Sequence, residues 1–315
     1  MTLLRPIRMG TVFSGVGAPE MAIRQAGIPH RITFACESDQ YARATYRRNF
    51  RDPPEGSYYH DVRDMVVHRD EIDLLVGGPP CQTFSTAGDR AGVADPRGNM
   101  IFEFNRILTE TRPPMFLFEN VPGLLSMDDG LVWQFMIDYW NDTGYSVFVR
   151  LLNTADFGIP QSRIRIFACG FKSTGGLRSP FPFPATRRLE TVMRDYLQDD
   201  VDEKYVVPPD RVEHVLHHYP GSGVPHIDAP KARTLRASQY TKATNAGDAN
   251  YVSCPGGIRA LTPRECFRLQ GFPDTFKFGE HLQDDQLYRQ AGNAMSVNVV
   301  LAMLPPMVRY AGWPF

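Results

Sequence analysis

Cysteine is scarce in this chain of 315 residues: there are five, at positions 36, 81, 169, 254 and 266, with no Cys-x-x-Cys pair. An odd number without that pairing excludes a disulfide framework and offers no zinc-site spacing, so a cysteine with a chemical task works as a free thiol. Long apolar runs are missing too. No stretch approaches the roughly 18 to 20 uninterrupted apolar residues that span a bilayer, and the opening Met1-Thr2-Leu3-Leu4-Arg5-Pro6 lacks a signal-peptide apolar region. These absences predict a cytoplasmic protein with no membrane partner. Excess charge is absent as well: the net charge is -1, so bulk charge gives no argument for a nucleic-acid partner, and basic groups would have to gather on one face. Lysine is rare, 5 of the 34 basic residues, a bias that favours bidentate hydrogen bonding and also fits a GC-rich genome.

What is present is an ordinary globular composition, 43% hydrophobic and 22% charged, with length for one large domain or a large one and a small one. The first half alternates short apolar runs with amphipathic stretches, which predicts a largely parallel sheet covered by helices. Candidate strands are Gly10 to Phe13, Ile32 to Cys36, Ile72 to Val76, Met115 to Phe118, Tyr145 to Leu152 and Ile164 to Phe171. Helical patterns fall at Pro19 to Gln25, along Ile101, Phe104 and Leu108, and along Leu131, Phe135 and Tyr139 before Gly144. After Phe171 the texture turns rich in Pro, Gly, His and Arg. A helix resumes at Thr262-Pro263-Arg264-Glu265, a capping box with Pro at the first helical position, and Gly271 is its expected stop. A last apolar helix is expected over Ala294 to Leu304. The expected division is 1–170, 171–281 as an inserted smaller domain, and 282–315 returning to the first.

Four segments carry chemistry. Phe13-Ser14-Gly15-Val16-Gly17-Ala18-Pro19-Glu20 follows a strand and opens a helix, and Glu37, 20 residues past Gly17, stands where an acidic side chain accepts bonds from ribose hydroxyls. The full dinucleotide fingerprint is absent, so the segment says only nucleoside cofactor, or a plain glycine turn. Gly77-Gly78-Pro79-Pro80-Cys81-Gln82 places Cys81 at the carboxyl end of a strand, in a loop, whereas Cys36 and Cys169 sit inside apolar runs as structural cysteines do. Glu119, in Phe118-Glu119-Asn120-Val121, ends the next strand on the same edge; a carboxyl group beside a thiol nucleophile suits addition to an electron-poor ring. Gln161, Arg163 and Arg165 alternate along a strand and project to one face, either into a site or as solvated surface groups. His214, His217 and His218 have helical spacing, which a partly exposed helix face explains better than a metal.

These motifs resemble, in order and spacing, those of DNA cytosine-5 methyltransferases, joined by Arg264-Glu-Cys-Phe-Arg-Leu-Gln-Gly-Phe-Pro and Gly292-Asn-Ala-Met-Ser-Val. The resemblance runs from Met9 to Val300 and is weakest between Phe171 and Pro230. It implies an α/β, Rossmann-like S-adenosylmethionine-dependent methyltransferase fold with a mixed sheet and a smaller inserted target-recognition domain across a DNA cleft. It implies cofactor contacts from Phe13, Ser14, Gly15, Val16, Gly17, Glu37, Asp61, Val62, Pro80, Met100, Asn293, Ala294 and Met295, with Glu37 on the ribose and Asp61 and Val62 at the adenine. Ala18-Pro19 departs from relatives that carry glycine at the first of these positions.

The resemblance also implies a mechanism. Carbon 5 of cytosine is a poor nucleophile, so the Cys81 thiolate adds first to carbon 6, Glu119 hydrogen-bonds the ring edge, Arg165 holds the base carbonyl and Arg163 supports the site. The target base must swing out of the duplex, with the Phe84 to Gly98 loop closing over it. DNA contacts are expected from Gln82, Ser85, Arg97 and Gln161, and from the segment after Thr234-Leu235: Arg236, Ser238, Gln239, Tyr240, Lys242. The implied partner is double-stranded DNA, and the enzyme a monomer that is either partnered with a separately acting restriction endonuclease or solitary. Two alternatives stand beside it: the tRNA-methylating branch, which tends to carry Thr where Ser85 stands, and a silent binder on the same fold, which would not need Cys81, Glu119 and Arg165 together.

Overall fold

A parallel strand covered by helices on both faces must be apolar along its length, because neither face meets water. The computed structural model describes residues 5–80, 100–173, 179–217 (the side chains of 214–217 excepted), 227–237 and 250–313, and gathers the predicted apolar runs into one sheet. In chain order the elements are β1 (Ile7–Val12), α1 (Ala18–Gln25), β2 (His30–Cys36), α2 (Gln40–Asn49), β3 (Tyr58–Tyr59), β4 (Leu74–Gly77), α3 (Met100–Thr111), β5 (Met115–Asn120), α4 (Leu131–Asp142) and β6 (Tyr145–Asn153). There follow β7 (Gln161–Ser162), β8 (Ile164–Lys172), α5 (Pro209–His217), β9 (Ala232–Arg233), β10 (Tyr251–Cys254), β11 (Gly257–Ala260), α6 (Pro263–Leu269), α7 (Asp284–Asn293) and α8 (Val297–Tyr310).

The sheet has seven strands in the order β3-β2-β1-β4-β5-β8-β6. The β1 to β5 pairings are parallel, and β8 runs antiparallel to both β5 and β6, which makes the sheet mixed. From β1 the chain winds outward through β2 and β3, then crosses to β4 and β5 on the other side. The crevice at that reversal is where open α/β sheets bind ligands.

Side-chain alternation assigns each strand two cores. Leu74, Val76, Met115 and Leu117 pack with α1 and α8, whereas Leu75, Phe116 and Phe118 pack with Phe104 of α3 and Trp140 of α4. Trp140 is fully buried, and its indole N–H donates to Asn105 Oδ1 at 2.8 Å, so the one polar atom of a large core side chain is satisfied. Phe181, Met193, Leu235, Phe267 and Phe276 join the first core, while Val207, Tyr251 and Ile258 form a small separate cluster. The irregular chain after Lys172 therefore packs on the sheet domain, with β7 beside β9 and β10 beside β11.

Four local expectations need correction or completion. In α4 the buried stripe is Val132, Met136 and Trp140; Leu131 and Phe135 are 63% and 41% exposed, because the indole and the rings of Phe116 and Phe118 fix the helix rotation. The helix α2 and the short β3 were not foreseen: α2 reads as polar and starts on Asp39, whose carboxylate accepts from Tyr41 N and Ala42 N. The last apolar helix, expected from Ala294, starts at Val297 as α8 and runs on through Pro305 and Pro306, and it is preceded by α7, which was not foreseen. Asp284–Tyr310 is long and apolar enough to cross a bilayer, but 67% of its apolar window is buried and the backbone breaks inside it, so it is core structure. The capping box at Thr262 and Glu265 forms, and Gly271, at φ +89°, follows the end of α6.

Candidate active site

Strand register alone brings the predicted segments together. Val12 lies beside Cys36 and Gly77, and Gly77 beside Phe118. The residues that follow them, Phe13, Glu37, Gly78 and Glu119, emerge side by side on the carboxyl edge of the sheet. Because β8 is antiparallel and Ile166 pairs with Asn120, Arg165 enters at the same edge.

On the β1–β2 side the chain makes a tight loop. Phe13 and Gly15 take left-handed backbone conformations (φ +57° and +55°), and Gly17, at φ +91°, caps α1. A glycine is needed at 17: a Cβ there would fall 2.3 Å from the Phe50 ring. Ser14 is buried, its hydroxyl 2.8 Å from Thr11 Oγ1 and 3.1 Å from the Cys36 carbonyl, which ties the loop to both strands. The Glu37 carboxylate accepts from Gly15 N and Asp39 N at 2.8 Å each; burial holds it above the usual carboxylate range despite those bonds. Val16 is buried beneath the loop. Asp61 caps a short helical turn and is held below the usual range by its pairing with Arg63, and Val62 beside it is buried.

On the β4–β5 side Asn120 donates to the Pro79 carbonyl at 3.0 Å and accepts from Val121 N, fixing the chain that leads towards position 81. A Cβ at Gly78 would lie 2.9 Å from Met295 Cε and 3.1 Å from Glu119 Oε2, so this turn, Glu119 and Met295 are immediate neighbours. Ala294 and Met295 are buried, whereas Asn293 and Pro80 are exposed and Met100, at the start of α3, is half-buried. Glu119 is raised above the ordinary carboxylate range by burial, opposed by the charges of Arg165 and Arg163. Arg165 Nε stands 3.5 Å from Glu119 Oε1, and Arg165 Nη1 donates to the Ile164 carbonyl. A buried carboxyl group beside a guanidinium can hold a proton or release it as the neighbouring charge changes, which suits a hydrogen-bond donor to a ring nitrogen.

Arg163 and Gln161 are not solvated surface groups. Arg163 is buried and donates to the Leu235, Gly292 and Ala294 carbonyls at 2.9 to 3.0 Å, its Nε without a partner among the described residues. Gln161, expected on the DNA side, is corrected by its full burial: its amide donates to the Leu269 carbonyl at 2.7 Å and accepts from Leu235 N at 3.1 Å. It supports the Leu235 segment from beneath. Arg163 and Gln161 bond to that segment while Arg165 pairs with Glu119, whose carboxyl also feels the Arg163 charge. Gly292 allows the approach of that segment, since a Cβ there would fall 2.2 Å from Ala237 N. Asn120, Gly292 and Gln270 had no assigned role in the sequence, although each lies inside a motif that the resemblance rests on.

The expected residues Cys81, Gln82, Ser85, Arg97, Ser238, Gln239, Tyr240 and Lys242, the Phe84 to Gly98 loop, His218 and the side chains of His214 and His217 lie outside the described residues. Arg236 is within them. Among the described cysteines Cys36, Cys169 and Cys266 are buried, and burial pushes their thiols up, Cys36 to about 12, which makes them structural groups rather than nucleophiles.

Sheet order, crevice and edge residues define a methyltransferase-type α/β enzyme, and comparison sharpens this. The chain belongs to the C-5 cytosine-specific DNA methylase family, whose profile matches residues 7–308, and its activity is DNA cytosine-5 methyl transfer. Among its relatives, Type II methyltransferase M.DsaV of Dactylococcopsis salina is 32% identical over 309 residues, covering 95% of this chain and 85% of the relative. M.NlaX of Neisseria lactamica is 34% identical, covering 94% of each chain. The fold matches S. pombe Dnmt2 methyltransferase with a TM-score of 0.78 at 22% identity, covering 96% of this chain and 98% of that one.

Proposed function

We propose that the protein methylates carbon 5 of a flipped-out cytosine in a specific duplex DNA sequence, through a covalent Cys81 adduct. The observation that supports this best is the meeting at one sheet edge of Glu119, Arg165 and the Gly78-Pro79-Pro80 turn that leads directly to Cys81.

The β1–β2 loop suits S-adenosylmethionine on its own geometry. Among the described residues, apart from its chain neighbours, no atom lies within 4 Å of a Cβ position at Gly15, and Glu37 is fixed by backbone N–H groups with acceptor capacity left for a ribose diol. Phe13, Ser14, Gly15, Val16, Gly17, Glu37, Asp61, Val62, Pro80, Met100, Asn293, Ala294 and Met295 would form its surroundings. When bound, the cofactor supplies the methyl group.

The protein's own groups prepare the acceptor. The Cys81 thiolate forms a bond to carbon 6, and the electrons of the 5,6 double bond move to carbon 5, which can then accept methyl. Protonated Glu119 donates to ring nitrogen 3 and takes up the charge that addition places there. Arg165 holds the base carbonyl and stabilises the same charge. Water takes the carbon 5 proton, the electrons of that bond re-form the 5,6 double bond, Cys81 leaves as thiolate, and ring nitrogen 3 returns its proton to Glu119. Arg163 acts behind them as a positioning residue.

Carbon 5 is shielded in stacked DNA, so the base leaves the duplex, and the loop from Phe84 to Gly98 covers the pocket. Arg236 and the chain beyond it, with the smaller domain of 171–281, read the target, while 1–170 and 282–315 carry the chemistry. The enzyme acts as a monomer, in the cytoplasm, either paired with a separately acting restriction endonuclease or solitary.

The test maps 5-methylcytosine in DNA and RNA from cells expressing the wild type or Cys81→Ala. Methylation at one DNA motif in the wild type alone supports the proposal and reads out the recognition sequence. Methylation confined to tRNA, or an unchanged pattern in both, overturns it.

A further inference from the structure

The segment Arg264 to Pro273 carries much of the family resemblance, yet none of its residues has a place in the chemistry. Gln270, which ends α6, is wholly buried at the junction of two walls of the site. Its amide N–H groups donate to the Ala291 carbonyl at 2.6 Å and the Ala294 carbonyl at 3.3 Å, holding the turn that carries Asn293 to Met295. Its Oε1 accepts from Gln161 Nε2 at 3.2 Å and Ser296 Oγ at 3.2 Å, and Gln161 Oε1 in turn accepts from Leu235 N. Its backbone carbonyl accepts from Val297 N at 2.9 Å, which pins the start of α8. Ser296 Oγ closes the system on Thr154 Oγ1 at 2.6 Å.

We infer that Gln270 is a positioning residue that sets the cofactor-side turn, Ala291 to Ser296, and the DNA-side segment, Leu235 to Ala237, in register with each other. The inference rests on the function proposed above and extends it. Both ends of a primary amide are needed, because the turn offers carbonyl acceptors and Gln161 and Ser296 offer donors. No other natural side chain of this length donates two hydrogens and accepts two. Apolar packing would hold the walls together but not fix their offset, since dispersion is non-directional and a hydrogen bond is not. Gly292 carries the same fit, because its neighbours leave no room for a side chain between the turn and Ala237.

The two halves of the amide can be separated. Gln270→Met keeps the volume and loses both halves. Gln270→Glu keeps the oxygen that faces Gln161 and loses the donor to the turn. Gln161→Met releases Leu235 N, the Leu269 carbonyl and the Gln270 oxygen, and leaves the Gln270 donors to the turn in place. Each purified protein is measured for S-adenosylhomocysteine affinity by calorimetry, KM for duplex DNA, kcat and melting temperature. Asn105→Leu serves as a control, since it removes a buried hydrogen bond in the other core, to Trp140.

Gln270→Met should weaken both ligands roughly tenfold, the effect of about one lost buried hydrogen bond on each wall. Gln270→Glu should weaken S-adenosylhomocysteine more than DNA, and Gln161→Met the reverse. Asn105→Leu should lower the melting temperature and leave both affinities unchanged. The inference is overturned if Gln270→Met lowers only the melting temperature, as the control does, or if the Glu and Gln161 variants weaken both ligands equally. Should Gln270→Met fail to fold, the opposed pattern of the other two decides. A wild type that binds S-adenosylhomocysteine but methylates no DNA would sink the proposed function instead, and is a separate result.

Discussion

The two sides of the active edge are built differently. Around the expected cofactor loop the bonds are short in sequence: Gly15 to Glu37 and Ser14 to Cys36 each span 22 residues. Around Arg163 they are long: 72 residues to Leu235, 129 to Gly292, 131 to Ala294, with Gln161 reaching 108 residues to Leu269. The first side closes once β1, α1 and β2 have formed, whereas the second exists only when β8, the Leu235 segment, α6 and α7 have all docked. Loop-closure cost grows slowly with length, so stability need not differ between the sides. The consequence of losing one bond does, because a long-range bond holds two elements that nothing local keeps aligned.

The strongest way to expose that contrast is Arg163→Met. The substitution keeps the buried bulk but deprives the Leu235, Gly292 and Ala294 carbonyls of a charged donor, at an expected cost of about 3 to 5 kcal/mol in urea unfolding. DNA methylation should disappear. S-adenosylhomocysteine binding, measured where the protein is still folded, should fall by no more than about tenfold, because the Ala291 to Ser296 turn loses one of its donors while the Gly15 and Glu37 bonds are untouched. An equal loss of both would show that the two sides behave as one unit.

The contrast also governs what could be read from the chain. The main strands, α1, α3 and the capped α6 followed from period and punctuation, because each is decided within about a dozen residues. Positions 13, 37 and 119 followed too, since a strand's carboxyl end is a local property, and register then brings them together. Gln161 was misread because alternation puts a side chain on a face without saying whether Leu269 and Leu235, far along the chain, cover that face. The stripe of α4 was misread for a related reason: Leu131, Phe135 and Tyr139 match the helical period as well as Val132, Met136 and Trp140, and only the sheet's aromatic rings choose between them. Glu20 drew notice only as part of the cofactor-loop motif, and nothing nearby announces that a carboxyl group there is wholly buried.

Glu20 sharpens the comparison from the local side. It lies at the start of α1, its Oε1 accepting from Thr11 Oγ1 at 2.6 Å and Tyr46 OH at 3.1 Å, while its Oε2 has no partner among the described residues. Burial raises it to about 7 against the bonds from Thr11 and Tyr46, and Arg24 pulls slightly the other way. The folded protein therefore favours the neutral carboxyl. Below about pH 4.5 the group is neutral in both states; between 4.5 and 7 only the unfolded chain ionises, so this contribution to stability is lost as pH rises. The shift amounts to about 3 kcal/mol by pH 8. Glu20→Gln should remove that pH-dependent part, so the stability lost between pH 5 and pH 8 should shrink by about that amount in denaturant titrations. An unchanged pH profile would refute the assignment of Glu20.

The smallest expected effect tests whether the local side is as redundant as its short bonds suggest. Ser14→Ala removes a buried hydroxyl that bonds to Thr11 and to the Cys36 backbone, yet the Ser14 N bond to the Cys36 carbonyl, the Gly15 N bond to Glu37 and the Gly17 N bond to the Ser14 carbonyl all remain. The loss should be about 1 kcal/mol, the net worth of one such hydrogen bond. S-adenosylhomocysteine affinity should then fall by no more than about fivefold, and the DNA KM should not change. A collapse of cofactor binding on so small a substitution would mean that the loop's left-handed turn depends on Ser14 alone, and that the cofactor side is as fragile as the side built from distant parts of the chain.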